Sequence, residues 1–452
     1  MNKAEHEFRD PVHVFIRLDP DERKVVDSPP FQRLRHLHQL AMTYMVYPGA
    51  SHRRFEHSLG CMELASRIFD VITKHHVKLP TPVRDRLPEL FDKNKLCWWR
   101  KILRFAALCH DLGHLPFSHA TEGLLPDKVN HETMTQRIIL EEMGEFWSKL
   151  THSQPDSNLI AKLAVGPKEA KGLGLFSPWE RILSGIITGD IFGADRMDYL
   201  LRDSLHVGVS YGHFDHHRLI DTIRILPGSA QDPQEKYNPE PELGIELGGL
   251  QVAESLLVAR YMMFTQVYFH PVRRSYDLHL KSFLKQALPN GIYPTDLPQF
   301  LATTDSDILV AIREKALDSR HVASRHAQCI ERRRHFKKAY HAIKQDTTRR
   351  HDILAVVAAG LVRLCGEENV MLDDYGKETA IKSDFPIMAD DGRILSAHGE
   401  SKVMTSLPIA TTGYVFVAPE LRDKACAWVK ENLNGFVINE GGKPCSIQYA
   451  QP

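Results

Sequence analysis

Apolar residues recur every three or four positions along much of the chain, which predicts amphipathic helices packed around a core. One of these stripes joins His57 to Cys61, Leu64, Ile68 and Ile72. His57 is its polar member, so this helix turns an imidazole toward the core. Burial of a polar group without a partner costs about 1–3 kcal/mol, so we expect His57 to have a partner there.

A second apolar stripe runs along residues 98–109 and leads directly into His110 and Asp111. Pro116 then breaks the helix, because proline has no backbone N–H and its ring clashes with the preceding turn. The sequence therefore predicts an adjacent His-Asp pair at a helix end that faces the core. Two polar side chains in an apolar context are harder to explain by packing than one.

A third predicted helix separates an apolar face from a polar face. The apolar face comprises Ala194, Met197, Leu201 and Leu205. The polar face comprises Asp195, Tyr199, Arg202 and Asp203. Asp195 leads this polar stripe, while Arg202 and Asp203 are also compatible with an exposed helical ion pair.

The inward His and Asp side chains of these three helices are candidate ligands of one metal ion: His57, His110, Asp111 and Asp195. Burial of such groups is costly unless a cation compensates them. Two imidazole nitrogens and two carboxylate oxygens suit Mn, Fe, Zn or Ni, or Mg with water in the open positions. A single inward histidine is more often a satisfied core residue, but the adjacent His-Asp pair favours the metal site.

The remaining pattern predicts a mainly α fold with two parts. Helical segments dominate residues 20–225, and alternating residues at 222–226 and 243–247 predict a small β-hairpin. Near the C-terminus, a helix at 353–361 precedes short strands at 387–388, 393–395 and 414–417 and a final helix at 419–433. We therefore predict a helical core over residues 1–345 and a smaller α+β region over residues 346–452.

Composition narrows the class of protein. Lys and Arg number 57, as do Asp and Glu, so the chain lacks the basic excess of a bulk nucleic-acid binder. A basic run in a predicted helix at 320–345 is interpreted as a solvated helix face, with single-stranded nucleic acid or nucleotide as the alternative partner: Arg332, Arg333, Arg334, Lys337 and Lys338. Seven Cys without paired spacing, a polar start and no apolar run of membrane length predict a cytoplasmic protein without a membrane partner.

The order of the candidate ligands, with the motifs around them, resembles the HD-domain phosphohydrolases. The similarity rests on Cys109-His110-Asp111-Leu112-Gly113-His114, Pro116-Phe117-Ser118-His119 and Asp195-Arg196-Met197-Asp198-Tyr199. It extends toward the N-terminus through segments that begin at Asp10, Asp27 and Tyr47. More narrowly, the chain is similar to the deoxynucleoside triphosphate (dNTP) triphosphohydrolases, the branch that includes the SAM-and-HD-domain protein and its bacterial dGTPase-like relatives.

The resemblance implies roles for individual residues in an HD-domain helical core. His57, His110, Asp111 and Asp195 would hold one divalent metal ion, which lowers the pKa of a water molecule. His119 would be the general acid and Glu122 would orient it, while His131 matches another active-site histidine of the family. Residues that would contact the substrate are Arg54 and His114 at the phosphates, and Tyr199, Asp203 and Tyr276 around the nucleoside. Tyr276 is also compatible with a plain core position.

The resemblance also implies regulation. Asp27, Gln32 and Arg35 match positions that bind an activating guanine nucleotide at a subunit interface, and Arg218 matches another basic contact. The alternative is a local fold network in which Asp27 caps a helix that starts near Pro29. The C-terminal region would contribute to nucleotide regulation and to the contacts of a homo-oligomer, either a dimer or a tetramer.

The leading hypothesis is therefore metal-dependent hydrolysis of dNTPs to deoxynucleoside and tripolyphosphate, by attack at the α-phosphate. One alternative is an HD phosphodiesterase or nuclease acting on cyclic nucleotides or single-stranded nucleic acid, since the same chemistry opens any phosphoester. Another is a nucleotide-sensing or nucleic-acid-binding protein whose hydrolysis is incidental.

Overall fold

The structure, a computed structural model, describes residues 6–75, 79, 81–150, 155–228, 238–375 and 384–437. Its α-helices are α1 (Pro20–Asp27), α2 (Pro29–Arg33), α3 (Arg54–Lys74), α4 (Thr81–Arg84), α5 (Lys93–Cys109), α6 (His131–Arg137), α7 (Gly144–Ser148), α8 (Ser157–Val165), α9 (Pro178–Thr188), α10 (Ala194–Val207), α11 (His216–Thr222), α12 (Leu250–Met263), α13 (Pro271–Ala287), α14 (Leu297–Ala302), α15 (Asp305–Leu317), α16 (Ser324–Glu331), α17 (Lys344–Arg349), α18 (Ile353–Cys365), α19 (Ala397–Glu400), α20 (Lys402–Ser406) and α21 (Arg422–Val437). Its strands are β1 (His6–Asp10), β2 (Val14–Leu18), β3 (Ile223–Gly228), β4 (Asn238–Glu246), β5 (Lys337–His341), β6 (Val370–Tyr375), β7 (Pro386–Met388), β8 (Ile394–Ser396) and β9 (Thr412–Val417). The mainly α fold is confirmed, and none of the helices in these ranges is both long and apolar enough to cross a membrane.

Helix α3 lies at the centre of the helical core and packs against both α5 and α10. The stripe from His57 to Ile72 is buried along its length, as the sequence predicts. Gly60 allows α10 to approach closely, because a Cβ atom at this position would lie 1.9 Å from Asp198 Oδ1. The first predicted helix is therefore confirmed, and its glycine is a requirement of packing.

Helix α10 confirms the third predicted helix but not the exposure of its ion pair. Arg202 is fully buried and Asp203 is 1% exposed. Each pairs with residues of other elements, so the interpretation as an exposed helical pair is wrong. Leu205, predicted on the apolar face, is 43% exposed in the last turn of the helix.

Three small sheets surround the helices. β1 and β2 form an antiparallel N-terminal hairpin that the sequence did not predict. β3 and β4 pair antiparallel as predicted, and the order of their sheet is β3-β4-β7-β8, with β4 and β7 parallel. The third sheet has the order β5-β9-β6. The connection between β3 and β4, residues 229–237, lies outside the described residues.

The sequence predicts one helix through the basic run at 332–338, and this prediction is wrong. Helix α16 ends at Glu331, and Arg333 has a φ of 55°, in the left-handed region that a helix cannot continue through. Lys337 and Lys338 lie on β5, where they pair with Val417 and Phe416 of β9. Pairing with a distant strand therefore overrides the local helical pattern.

A second hydrophobic core lies toward the C-terminal end of the chain. It joins α18, α21 and the β5-β9-β6 sheet through residues such as Ile353, Leu361 and Val415. Two sheets contain strands from both sides of the predicted division at residue 345. β5 joins the C-terminal sheet, whereas β7 and β8 join the sheet of β3 and β4. The division into two domains stays a prediction.

Candidate metal centre

Three side chains bring their ligand atoms together at one point. His57, His110 and Asp195 each offer one atom, and these atoms lie within 4.8 Å of one another. His57 Nε2 is 3.1 Å from Asp195 Oδ1, and His110 Nε2 is 3.7 Å from the same oxygen. Asp111 lies beside them, with Oδ1 3.4 Å from His110 Nε2 and Oδ2 3.7 Å from His57 Nε2. The four predicted ligands therefore meet.

Hydrogen bonds behind the two imidazoles leave their Nε2 atoms facing Asp195. His110 Nδ1 donates to the Ala107 carbonyl at 2.8 Å, and His57 Nδ1 donates to Asp198 Oδ2 at 2.9 Å. With a proton on Nδ1, Nε2 of the neutral ring carries the lone pair that a metal ion requires. Within the described part of the chain, His110 Nε2 is buried without a hydrogen-bond partner. This donor set fits one divalent cation.

The pKa values of these groups reflect burial and their mutual charges. Burial lowers the pKa of His57, but hydrogen bonds to Asp195 and Asp198 outweigh it and raise the pKa to about 9. Burial also lowers the pKa of His110, but the negative charge of Asp111 outweighs burial. The pKa of His110 therefore lies well above its usual value. Burial alone would raise the pKa of Asp195, yet the neighbouring His110 imidazole and the hydrogen bond with His57 hold it below its usual range. The cluster therefore requires positive charge, which protons or a metal ion can supply.

Arg54 and His114 hold the Asp111 carboxylate from two sides. Arg54 Nη1 donates to Asp111 Oδ2, and its Nε donates to Ser118 Oγ at 2.8 Å. His114 Nε2 lies 3.2 Å from Asp111 Oδ1. Burial, followed by the positive charges of Arg54 and His131, lowers the pKa of His114 well below its usual value. The wall of the metal site thus contains a fixed guanidinium and a neutral imidazole.

The turn after the His-Asp pair is strained. Phe117 and Ser118 have φ values of 57° and 52°, which cost non-glycine residues about 1–3 kcal/mol each. Neighbouring elements hold this turn, since Phe117 N donates to Asp305 Oδ1 at 2.8 Å and Arg33 Nη1 donates to the His114 carbonyl at 2.9 Å. Fixed strain of this kind clusters at functional sites.

The predicted acid-base residues lie next to this turn. His119 and Glu122 occupy successive 3-10 turns, Ser118–Ala120 and Glu122–Leu124. The side chain of His119 lies outside the described residues, and its pairing with Glu122 stays a prediction. Glu122 contacts His131 Nδ1, and the His131 ring stacks on His114 with 4.1 Å between centroids. Burial lowers the pKa of His131, but the hydrogen bond to Glu122 outweighs burial and raises it.

The predicted nucleoside residues do not form one exposed group. Asp203 accepts hydrogen bonds from His52 Nε2 at 2.8 Å and from the Tyr268 hydroxyl at 2.7 Å. Tyr199 is half-buried, and its ring meets the Tyr268 ring edge-on at 6.2 Å. Tyr276 is fully buried in the main core, with its hydroxyl 3.0 Å from His335 Nδ1. The position of Tyr276 therefore agrees with its alternative interpretation as a core residue.

The predicted regulatory residues fall into two groups. Gln32 Oε1 accepts from Arg35 Nε at 2.9 Å, and exposed Asp27 pairs with Arg23. Arg218 lies on α11, where its Nη2 donates to the Gly248 carbonyl at 3.3 Å. The alternative role of Asp27 as a helix cap is wrong, because Asp27 is the last residue of α1 and Ser28 occupies the N-cap position of α2.

The sequence did not predict the network of residues behind His57. Asp198, Arg202, Asp10 and His13 form a buried hydrogen-bonded network there. Tyr268, which contacts Asp203, was also missed. The spacing of Asp198 and Arg202, four residues apart on one helix, was the available signal, but the sequence does not show that this face is covered by the N-terminal hairpin.

Comparison with known proteins identifies the same region. The HD domain family matches residues 54–164, which contain three of the four candidate ligands, and the HD associated region matches residues 214–364. The chain is 35% identical over 283 residues to the protein YwfO of Bacillus subtilis, covering 62% of this chain and 55% of YwfO. It is 34% identical over 242 residues to the deoxynucleoside triphosphate triphosphohydrolase SAMHD1 of Danio rerio, covering 48% of this chain and 36% of that protein.

A solved structure matches nearly the whole chain. A crystal structure of a hypothetical protein from Aquifex aeolicus superposes with a TM-score of 0.74 at 32% identity, covering 94% of this chain and 99% of that one. The chain spans about half the length of the curated relatives YwfO and MJ1154, the latter from Methanocaldococcus jannaschii. With an HD domain, its associated region and the His and Asp ligands in one buried centre, the chain belongs to the HD-domain family of phosphohydrolases.

Proposed function

We propose that this protein hydrolyses deoxynucleoside triphosphates to deoxynucleoside and tripolyphosphate with the help of one divalent metal ion. The convergence of His57, His110 and Asp195 within 4.8 Å of one another carries the proposal. SAMHD1 of Danio rerio, which is similar to about half of this chain, is named as a deoxynucleoside triphosphate triphosphohydrolase. This similarity supports the choice of substrate. Native metals consistent with the ligands include Mn, Fe, Mg, Zn and Ni, of which we propose Mn as the first to test.

His57, His110, Asp111 and Asp195 would hold the metal ion, which would supply Lewis-acid polarisation of a phosphate oxygen and lower the pKa of a water molecule. Arg54 and His114 lie on the wall beside Asp111, where they can bind the anionic phosphates. His119 acts as the general acid that protonates the leaving 5′ oxygen. The hydrogen bond to Glu122 raises the pKa of His131, whose ring stacks on His114, and we propose that His131 stabilises negative charge on the leaving side.

Around the nucleoside, we propose that Tyr199 and Asp203 bind the sugar, and that Tyr276 supports this wall from the core. Asp203 accepts from Tyr268 and His52, so a sugar hydroxyl would have to share or replace one of these donors. Because His52 and Tyr268 fix the orientation of the Asp203 carboxylate, this carboxylate favours a ligand whose hydroxyl lies in the matching position.

The finer features of the resemblance form part of the same proposal. We propose a cytoplasmic homo-oligomer, a dimer or a tetramer, that an activating nucleotide regulates. Asp27, Gln32 and Arg35 would contribute to the regulatory site, with Arg218 supplied from a separate element. The basic residues around Arg332 would be a secondary site for single-stranded nucleic acid.

Product analysis tests the reaction. Purified protein is incubated with each dNTP, singly and mixed, in Mn²⁺ or Mg²⁺, and the products are resolved by anion exchange. We expect deoxynucleoside and tripolyphosphate in equal amounts, and a requirement for mixed nucleotides would indicate the activating site. Release of pyrophosphate with a deoxynucleoside monophosphate would contradict the proposed site of cleavage. Turnover only of cyclic nucleotides or single strands would instead assign the metal centre to the phosphodiesterase or nuclease alternative.

Removal of the His-Asp pair tests the metal centre. We expect His110→Ala with Asp111→Ala to lose bound metal and turnover together, by at least about a hundredfold, because two of four ligands are absent. Asp70→Asn is the matched control, since Asp70 forms an exposed ion pair with Arg100 outside the site. Full activity of the double variant without metal would contradict the proposed function.

A further inference from the structure

A buried carboxylate lies directly behind the ligand His57. Asp198 is on α10, three residues after the ligand Asp195, and its Oδ2 accepts from His57 Nδ1 at 2.9 Å. Both Asp198 and His57 are fully buried. Asp198 therefore has no access to solvent, and protein groups alone determine which way its oxygens point.

Four donors saturate this carboxylate. Oδ2 accepts from His57 Nδ1 and from Arg202 Nε, the latter at 2.8 Å. Oδ1 accepts from Arg202 Nη2 at 3.0 Å and from His13 Nε2 at 2.7 Å. An ionised carboxylate accepts and never donates, so each of the two histidines must present an N–H to it. The His57 proton is thereby fixed on Nδ1, which leaves the Nε2 lone pair toward Asp195.

The tip of the N-terminal hairpin completes the network. Asp10 Oδ1 accepts from the backbone N–H groups of Val12 and His13 at 2.9 and 2.8 Å, which shapes the turn between β1 and β2. Asp10 Oδ2 accepts from Arg202 Nη1 at 2.7 Å. The same turn thus supplies His13 to Asp198 and Asp10 to Arg202, so it braces the carboxylate from two directions.

We propose that Asp198 is the positioning residue of the metal centre, and that the turn of the N-terminal hairpin, through His13 and Asp10, holds it in place. Asp198 acts through His57, by fixing the tautomer and the orientation of its ring. The hairpin, which lies outside the matched HD domain, becomes a structural part of the centre. The inference rests on the metal binding of the proposed function but not on its substrate.

Asp198→Asn is the first test. An amide has one acceptor end and one donor end, so it cannot serve donors on both sides. Because each oxygen of Asp198 accepts two of the four bonds, two of them must become contacts between donors. We expect Mn²⁺ affinity, measured by calorimetry on metal-free protein, to fall about 10–100-fold, the range for loss of such a partner. Asp373→Asn is the matched control, because Asp373 of β6 is also buried and accepts two bonds from one arginine, Arg274. It should reduce stability and leave Mn²⁺ affinity unchanged.

A pair of His13 variants covers the case in which Asp198→Asn does not fold. His13→Leu removes one donor, and we expect Mn²⁺ affinity to fall about threefold to tenfold, as for one lost hydrogen bond. His13→Gln retains an amide N–H that can reach Asp198, so it should restore most of the affinity. Equal affinity in wild type and His13→Leu, with both folded by circular dichroism, would overturn the role of the hairpin.

A spectroscopic readout separates positioning from general stability. In the Co²⁺-loaded protein, the His57 Nδ1 proton should give a paramagnetically shifted NMR signal that exchanges slowly, because Asp198 accepts it in a buried site. We expect this signal in wild type and Asp373→Asn and its loss in Asp198→Asn. Wild-type protein that binds no Mn²⁺ or Co²⁺ would overturn this inference, whereas metal binding without dNTP turnover would contradict only the proposed substrate.

Discussion

Single residues of the metal centre differ in their access to solvent. The side chains of His57, His110 and Asp111 are 1%, 6% and 7% exposed, whereas that of Asp195 is 34% exposed. Three of the proposed ligands therefore form a buried base, and we expect water and a phosphate to enter on the side of Asp195. A centre that is rigid on one side and open on the other suits a catalytic metal site, which keeps a position for substrate.

Gly60 has no side chain, which allows α3 and α10 to pack closely beside the metal centre. Gly60→Ala would place a Cβ atom 1.9 Å from Asp198 Oδ1 and 2.4 Å from Arg202 Nη2, so α3 and α10 must separate. We expect the free energy of unfolding, measured by urea denaturation, to fall by about 1–3 kcal/mol, with weaker Mn²⁺ binding. Gly144→Ala in α7 is the control, since a Cβ atom there would meet none of the described residues within 4 Å. Equal stability of the Gly60 variant and wild type would refute this account of the packing.

Whole elements bring the ligands together by their ends. His57 lies in the first turn of α3, His110 directly follows α5, and Asp195 lies in the first turn of α10. The positive ends of the α3 and α10 dipoles favour the carboxylates of the centre. Helix boundaries therefore matter here as much as helix faces, and a shift by one residue would rotate a ligand out of the site.

A second contact between elements depends on neutral histidines. His279 Nε2 on α13 accepts from the Phe336 N–H at 3.0 Å, so its proton is on Nδ1, which donates to His326 Nδ1 on α16 at 3.0 Å. Burial and the nearby His326 lower the pKa of His279 well below its usual value, and burial with Arg325 lowers the pKa of His326 to about 4. Neither ring can accept a proton without breaking this link between α13, α16 and the segment before β5.

This link predicts a loss of stability in acid. An unfolded histidine has a pKa of about 6.5, so below that pH the unfolded chain binds protons that the folded chain refuses. The stabilisation is therefore complete above about pH 6.5 and is lost as the pH falls toward about 4. We expect His326→Gln, which keeps an acceptor without a titrating ring, to show a shallower decline in urea denaturation across this interval. Identical slopes for wild type and variant would show that the link does not titrate.

At the scale of the whole molecule, two cores are joined by specific polar contacts. Arg274 of α13 is half-buried and donates two hydrogen bonds, at 2.8 and 2.6 Å, to Asp373 of β6, which belongs to the C-terminal sheet. The Tyr414 hydroxyl of β9 donates to the Phe269 carbonyl at 3.0 Å. These contacts tie the C-terminal sheet to the HD-associated segment, so the stability of one part should depend on the other.

Metal binding should stabilise the whole chain, because its ligands come from three helices of the main core. A ligand that binds only the folded state adds about 2.7 kcal/mol at a hundredfold excess over its dissociation constant. We therefore expect Mn²⁺ to raise the melting temperature of metal-free protein in a concentration-dependent manner, measured by scanning calorimetry. Asp195→Ala should remove this rise while Asp70→Asn retains it, and a rise of equal size in Asp195→Ala would place the bound metal elsewhere.

Local periodicity in the sequence predicted α3, α5 and α10, the β3-β4 hairpin, and the inward direction of His57, His110, Asp111 and Asp195. The helices and the direction of their side chains depend on residues within one or two turns of each other, and each strand of the hairpin depends on its own alternating pattern, so the local sequence determines them. Only the tertiary structure decided which residues surround the ligands, because Asp198 meets His57 across 141 positions and His13 across 185. It also placed Lys337 and Lys338 on a strand and joined β7 and β8 to β4. Such pairings depend on burial and hydrogen bonding between distant segments, so local patterns in the sequence do not predict them.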